Sequence, residues 1–336
     1  MGRYVVRRLL QFIPTVFFTM FLLHYLTVVG IQFNGNPVRA IFGERRPPQA
    51  TIDQVTAALK LDNTCLKVKF HPCWDLFGDR MSDIFLHFDF GTNLRFRPVT
   101  DILADALPFT LKLTVIAFTV EAVVGILAGV LAGLRSGSFM DYFVKITTVV
   151  VIAIPIFVLA VLIRQFVGID FGNFLRGEDW VPDLVSRGFF AATYINAYPW
   201  ASLVMPGLVL GALSLASTAR LTRTSIAENI RGDYVRTAKA KGLMRKRIIG
   251  VHTLRNSLIP VATNLGLSIG GYITGAIITE GVFNVPGVGS VIARGIFQGE
   301  SMTIIGVTTM LVLVYLVANL LVDLLYAVLD PRIRYE

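Results

Sequence analysis

The chain has 336 residues, of which 54% are hydrophobic and only 16% charged, and its mean hydropathy is +0.66. Soluble domains carry roughly 25% charged residues, so the composition excludes a disordered chain and argues against a water-facing globular surface. What remains is an integral membrane protein, with a formal net charge of +9 whose distribution needs a separate explanation.

A membrane-crossing helix needs about 20 mostly apolar residues. The first such run, Leu9–Ile31, is longer than the roughly 7–15 residues of a signal-peptide core, and no clear small-residue cleavage site follows it. It is read as a retained first span. The segment Gln32–Asp105 is too long for a simple connection and predicts a small ordered subdomain outside the membrane. Within it Ile52, Val55, Ala58 and Leu59 recur at helical spacing over Thr51–Leu61. Cys65 and Cys73 lie in the same segment. An oxidising compartment favours a disulfide between them over two buried thiols. His71 is nearby, but four ligands at recognisable spacing are missing, so no metal site is expected.

The further predicted spans are Ala106–Leu134, Ile146–Ile163, Leu203–Ala219, Asn256–Thr279 and Ser301–Val322. The second holds Gly125, Gly129 and Gly133, one every fourth residue. Gly207 with Gly211, Gly266 with Gly270, and Gly271 with Gly275 repeat that spacing. Small residues on one face let helices approach closely in lipid; such a face serves either packing within this chain or a seam with a partner.

Acids inside a membrane are costly and face protein or water. Glu121 and Asp323 are the two intramembrane polar sites. Lys112 cannot reach Glu121 along one helix, because nine residues span roughly 13 Å. A proton relay would make the protein a proton-coupled secondary transporter; a hydrogen-bonded structural acid is the preferred reading, since one acid per helix is a thin relay. Gly266–Gly270 spells G-x-S-x-G around Ser268, a hydrolase nucleophile pattern. No strand precedes it, and His24, His71, His87 and His252 lie outside its span, so no catalytic residue is assigned. The chain contains no Gly-Lys pair, hence no P-loop, and it is not expected to be an enzyme.

With the N-terminus inside, the cytoplasmic pieces are 1–8, 135–145, 220–255 and 330–336. They hold 17 basic and 5 acidic residues, against 13 basic and 15 acidic outside. The positive-inside rule explains this asymmetry, places both termini in the cytoplasm and leaves no need for nucleic acid. The richest piece, 220–255, reads as two short helices. Asp233 is the expected N-cap of the first and Gly242 its stop; the second runs over Met244–Thr253. Its small face, Ala238, Ala240 and Gly242, suits a partner's groove, whereas a basic amphipathic helix also suits an anionic lipid surface.

The stretch Asp233-Tyr234-Val235-Arg236-Thr237-Ala238-Lys239-Ala240-Lys241-Gly242-Leu243, followed by His252-Thr253-Leu254-Arg255-Asn256-Ser257-Leu258-Ile259-Pro260, resembles the coupling loop of binding-protein-dependent ABC importer permeases, most nearly the dipeptide/oligopeptide branch. Thr237 stands where the general motif has glutamate, and Pro260 comes later than in the general pattern. The opening Tyr4–Pro14, Asp89-Phe90-Gly91, Pro98-Val99, Leu107-Pro108, Thr279–Phe283 with Pro286–Gly289, and Asp330–Arg334 are similar to the family as well. Two outside-facing stretches depart from it by length, Thr64–Arg80 and Ile169–Ser202.

The resemblance implies an all-α membrane protein of the type I ABC importer permease fold. Its six transmembrane helices would divide as residues 1–105, the first helix plus the extracytoplasmic subdomain, and 106–336, the transmembrane core with a coupling loop at 220–257. It implies a multi-pass protein of the bacterial cytoplasmic membrane. This chain would be one permease of a peptide importer, with nickel or another small solute as the alternative cargo. The implied partners are a second homologous permease, two ATP-binding subunits or domains, an extracytoplasmic peptide-binding protein and membrane lipid. ATP and Mg would sit on the ATPases, and this chain would hold no cofactor. The implied ATPase contact is Arg236, Thr237, Ala238, Lys239, Ala240, Lys241, Gly242 and Leu243, with His252.

Overall fold

The computed structural model describes the backbone of residues 2–33, 48–58, 61–93, 96–298 and 300–329; the side chains of 2–4, 58, 273–275, 322, 323 and 325–329 are not described. The expected cytoplasmic C-terminal piece, 330–336, and the Asp323 side chain therefore lie outside the described residues. The described chain is helical, with one isolated antiparallel bridge between Thr92 and Pro98.

Among the described residues, five helices are long and apolar enough to cross a membrane: Val5–Phe33, Val99–Leu134, Ile156–Arg176, Ala201–Asn229 and Ser301–Leu321. A sixth results if the pair Arg245–Tyr272 and Ala276–Val282, bent by 54°, counts as one. The expected third span, Ile146–Ile163, is corrected. A helix capped by Ser138 runs over Phe139–Ala153 and stops; Ile154 turns extended at ψ 123°, and a new helix starts at Ile156. Pro155 explains the break, since the residue before a proline is driven out of the α region. The uncharged run thus straddles two helices, and Arg164, expected in an outside loop, lies inside the third long helix.

Residues 1–107 and 291–336 form one compact unit and residues 108–290 another. In the first, a small subdomain is built on the end of the first helix. A helix spans Gln49–Ala58 near the expected position, with Leu59 and Lys60 outside the described residues. A 3-10 turn covers Thr64–Lys67, and Asn63 caps it by accepting from the Cys65 amide. Cys65 and Cys73 are joined in a disulfide. Gln32, on the last turn of the first helix, donates Nε2 to the carbonyls of Cys65 and His71 at 3.2 and 2.8 Å. Leu66, Cys73, Val55, Val28 and Met302 close a shared core. A further helix, Trp74–His87, starts from Cys73 in the left-handed conformation without a side-chain cap. That missing cap is why no start signal marks this helix in the sequence.

In the second unit Gly125, Gly129, Gly133, Gly207 and Gly211 pack inside the chain, whereas a Cβ on Gly271 would meet nothing within 4 Å. A Cβ on Gly129 would lie 2.5 Å from Thr222 Cβ, and one on Gly133 2.9 Å from the Arg223 carbonyl. A Cβ on Gly207 would lie 2.5 Å from Ile116 Cγ2, and one on Gly211 2.9 Å from the Ala117 carbonyl. The helices Val99–Leu134 and Ala201–Asn229 therefore meet backbone to backbone at both ends of their contact, which decides these positions for internal packing. Leu113, Ala117, Leu203, Val209, Tyr272 and Phe283 fill the core beside them. Replacing Gly129 by Leu should push these helices apart and cost about 1–3 kcal/mol or more; the melting temperature of the detergent-purified protein checks this, and an unchanged value would refute the packing.

Candidate functional site

The Val204–Asn229 helix ends in a tight turn, and Gly232 in extended conformation precedes the next helix, Asp233–Ala240. Asp233 was the expected N-cap; it is instead the first helical residue, where its charge favours the positive end of the helix dipole and pairs with Arg236 at 3.2 Å. Gly232 holds the cap position because a Cβ there would lie 2.8 Å from the Tyr234 ring.

The other end matches its expected stop. Lys241 is the C-cap and Gly242 has φ +72°. The Gly242 amide donates to the Lys239 carbonyl at 3.0 Å and the Leu243 amide to the Ala238 carbonyl at 3.2 Å, which is the Schellman arrangement. Its hydrophobic companion is present too: Leu243 packs on Val235, Ala238 and Ile248.

This arrangement splits the expected contact residues. Ala238 is 5% exposed and faces its own chain, not a partner; Leu243 and His252 are half-buried. Arg236, Thr237, Lys239, Ala240, Lys241 and Gly242 are exposed on one surface. The second expected short helix is corrected. The helix does not end at Thr253: a wide π-helical turn over Ile248–Leu254 leads into Arg255–Val282, and the 54° bend comes later, between Tyr272 and Ala276. No breaker separates Thr253 from Arg255, so nothing ends the helix there.

Two bonds tie the base of this loop to the spans. Ser225 Oγ donates to the Ser257 carbonyl at 3.0 Å, and Ser257 Oγ to the Ser225 carbonyl at 3.2 Å. Nearby, Asp141 is fully buried and accepts from Arg223 Nε at 2.8 Å, Arg223 Nη2 at 3.0 Å and the Gly137 amide at 2.8 Å. Lys145 adds a contact at 3.0 Å. The Arg223 hydrogen bonds hold the Asp141 carboxyl well below the usual carboxylate range, against the opposing effect of burial. Sequence reading passed over this pair because the two residues are 82 positions apart.

The intramembrane acid Glu121 is fully buried at the start of a π-helical turn, Glu121–Gly125. Its carboxylate accepts from Thr218 Oγ1 at 2.7 Å, Ser268 Oγ at 2.9 Å and Tyr272 Oη at 2.5 Å, and Asn264 Nδ2 donates to Thr218 Oγ1 at 2.9 Å. Three helices meet on one carboxylate whose donors among the described residues are hydroxyls. Ser268 is thereby engaged with Glu121 and with the Asn264 carbonyl at 3.1 Å, which accounts for its place in the glycine-serine pattern. Lys112 lies elsewhere, over the rings of Phe109 and Trp200.

Glu280 is a second buried acid that the sequence reading assigned to an outside loop. It accepts from Thr110 Oγ1 at 2.6 Å and the Ser290 amide at 3.1 Å, while the Val288 amide donates to Thr110 Oγ1 at 2.9 Å. Gly287 and Gly289 pass so close that a Cβ on either would strike the Glu280 carboxylate or the Ile277 backbone. The available signal was the Gly-Val-Gly triplet after Pro286, which leaves room for a buried side chain.

Several apolar spans, buried acids satisfied by hydroxyl and amide donors, and an ordered basic loop between two of the spans describe a helical integral membrane protein. The chain belongs to the family of binding-protein-dependent transport system inner membrane components, which matches residues 125–335. It is accordingly a multi-pass protein of the cytoplasmic membrane. It is 33% identical over 343 residues to the dipeptide transport system permease protein DppB of Alkalihalophilus pseudofirmus, covering 99% of both chains. It is 33% identical to DppB of Escherichia coli K12 over 351 residues and 31% identical to the glutathione transport system permease protein GsiC of the same strain over 337 residues, with 100% of each chain covered.

Breaking the Asp141–Arg223 pair by Asp141→Asn should cost about 3–5 kcal/mol, because a charge is left without its partner. The Asp141 pKa is lower in the folded than in the unfolded protein, where it is about 3.9. Its contribution is thus complete above about pH 5 and lost as pH falls through 4 and below. Thermal unfolding against pH should show a flatter acid limb in the variant; parallel curves would contradict the pairing.

Proposed function

We propose that the chain is one permease of an ATP-driven importer of short peptides and that the exposed face of Asp233–Gly242 is gripped by cytoplasmic ATPase subunits. The observation that carries this reading is the split of that helix. Val235 and Ala238 lock it to Ile248 and Leu243, and Arg236, Thr237, Lys239, Ala240, Lys241 and Gly242 are left for a partner. The reciprocal Ser225–Ser257 bonds support a lever: a push on the loop is passed to the Val204–Asn229 and Arg255–Val282 helices together.

In this reading six spans cross the membrane with both termini cytoplasmic, as the charge asymmetry supports. A second homologous permease completes the pathway, and an extracytoplasmic binding protein docks on the outer subdomain. Two ATPases hold ATP and Mg, which this chain does not. Residues 1–105 serve docking and residues 106–336, with the loop at 220–257, form the core. Closure of the nucleotide-bound ATPases moves the loop as a rigid body and switches the spans between two packed arrangements. Peptide is preferred to nickel as cargo because the relatives' names specify dipeptide and glutathione.

Gly242→Leu tests the coupling role. The left-handed backbone at Gly242 disfavours any side chain, while a Cβ there would meet nothing within 4 Å. The variant should insert and assemble with its partners, with ATP-driven peptide uptake reduced at least about tenfold. Uptake at the unaltered rate would overturn the proposal, as would purification in mild detergent without any ATPase after crosslinking.

A further inference from the structure

The unit formed by residues 1–107 and 291–336 encloses a cavity of about 280 Å³. It lies among the outer half of the first helix, the Trp74–His87 helix and the start of the last helix. It is lined by apolar side chains, among them Leu23, Ile31, Phe77 and Met302, and by half-buried Arg80 with the exposed residues Asp79, Asp83 and Asp89 at its rim. This volume is at the low end of the roughly 300–1,000 Å³ typical of small-molecule sites.

Arg80 is the informative residue. Burial pushes its guanidinium below its ordinary value, against the attraction of Asp83. Its hydrogen bond among the described residues runs from Nη2 to Thr309 Oγ1 at 3.3 Å. A guanidinium offers five N–H donors in a planar fork suited to a carboxylate, of which the bond to Thr309 uses one. The three carboxylates outnumber the single guanidinium. A simple anion is therefore disfavoured and a ligand that also carries an ammonium is favoured.

We propose that this cavity binds a free di- or tripeptide, with Arg80 on the peptide carboxylate, at least one of Asp79, Asp83 and Asp89 on its ammonium, and the apolar wall against its side chains. The proposal rests on the peptide reading above and adds a site on the permease itself, within the unit formed by residues 1–107 and 291–336. The lengthened stretch Thr64–Arg80 supplies Leu66, Leu76, Phe77 and Arg80 to the lining.

The test uses the purified full chain in nanodiscs of phosphatidylcholine, titrated calorimetrically with Leu-Leu. Saturable binding is expected, with N-acetyl-Leu-Leu and Leu-Leu amide each bound about ten- to a hundredfold more weakly, since each lacks one charge-assisted contact. Arg80→Gln should weaken Leu-Leu by a similar factor and have little further effect on the amide. At least one of Asp79→Asn, Asp83→Asn and Asp89→Asn should behave in the same way toward the acetylated peptide, which keeps the test open if Arg80→Gln fails to fold. Absent binding, or equal affinity for the blocked peptides, would overturn the proposal. So would displacement of Leu-Leu by glycerophosphoethanolamine at equal or lower concentration, which would make the cavity a lipid-headgroup site. Peptide uptake by the complete transporter is measured in parallel. Uptake without binding to this chain would remove the cavity site and leave the importer reading standing; absence of peptide uptake would count against the reading itself.

Discussion

Close backbone approach at glycine is the constraint on which the 108–290 unit depends. In lipid no hydrophobic drive pulls one helix onto another, so contact area and interhelical polar bonds must do it. Gly129, Gly133, Gly207 and Gly211 bring Val99–Leu134 and Ala201–Asn229 together so tightly that a methyl group would collide with the neighbour. Only at that separation can Glu121 reach Thr218 on the adjacent helix. The same logic holds where Gly287 and Gly289 wrap the Glu280 carboxylate.

Buried acids in this protein act as tethers. An unpaired polar group in the membrane is costly, and each acid described here is satisfied by short side chains or backbone amides. Glu121 gathers Thr218, Ser268 and Tyr272, and Glu280 gathers Thr110 and the Ser290 amide. Asp141 differs because its partner is a guanidinium at the end of the same Val204–Asn229 helix. That helix thus carries a hydroxyl tether at Thr218, an ionic one at Arg223 and a serine pair at Ser225, each joined to a different helix. These three ties fix the helix to its neighbours at three different levels.

The subdomain after the first helix is built by other means. Its helices are short, and Gln32, the Cys65–Cys73 disulfide and the aromatic contacts of Phe21 with Trp74 and Phe77 supply what a small core lacks. Its cavity is lined by half-buried Arg80 and by exposed aspartates beside the apolar side chains.

Composition and apolar run length determined by themselves that this is a helical membrane protein, because a span's length is dictated by bilayer thickness alone. Local rules also made the stop at Gly242 legible, since a left-handed C′ position selects glycine whatever surrounds it. Tertiary structure decided the rest. Ile146–Ile163 looked continuous until Pro155 placed its halves in two helices. Ala238 looked like part of a docking face until Val235 and Ile248 turned it inward. Asp141 with Arg223, and Glu280 with Thr110, join residues 82 and 170 positions apart. No pattern within a window can register such pairs, because the energy that selects them exists only after the helices have packed.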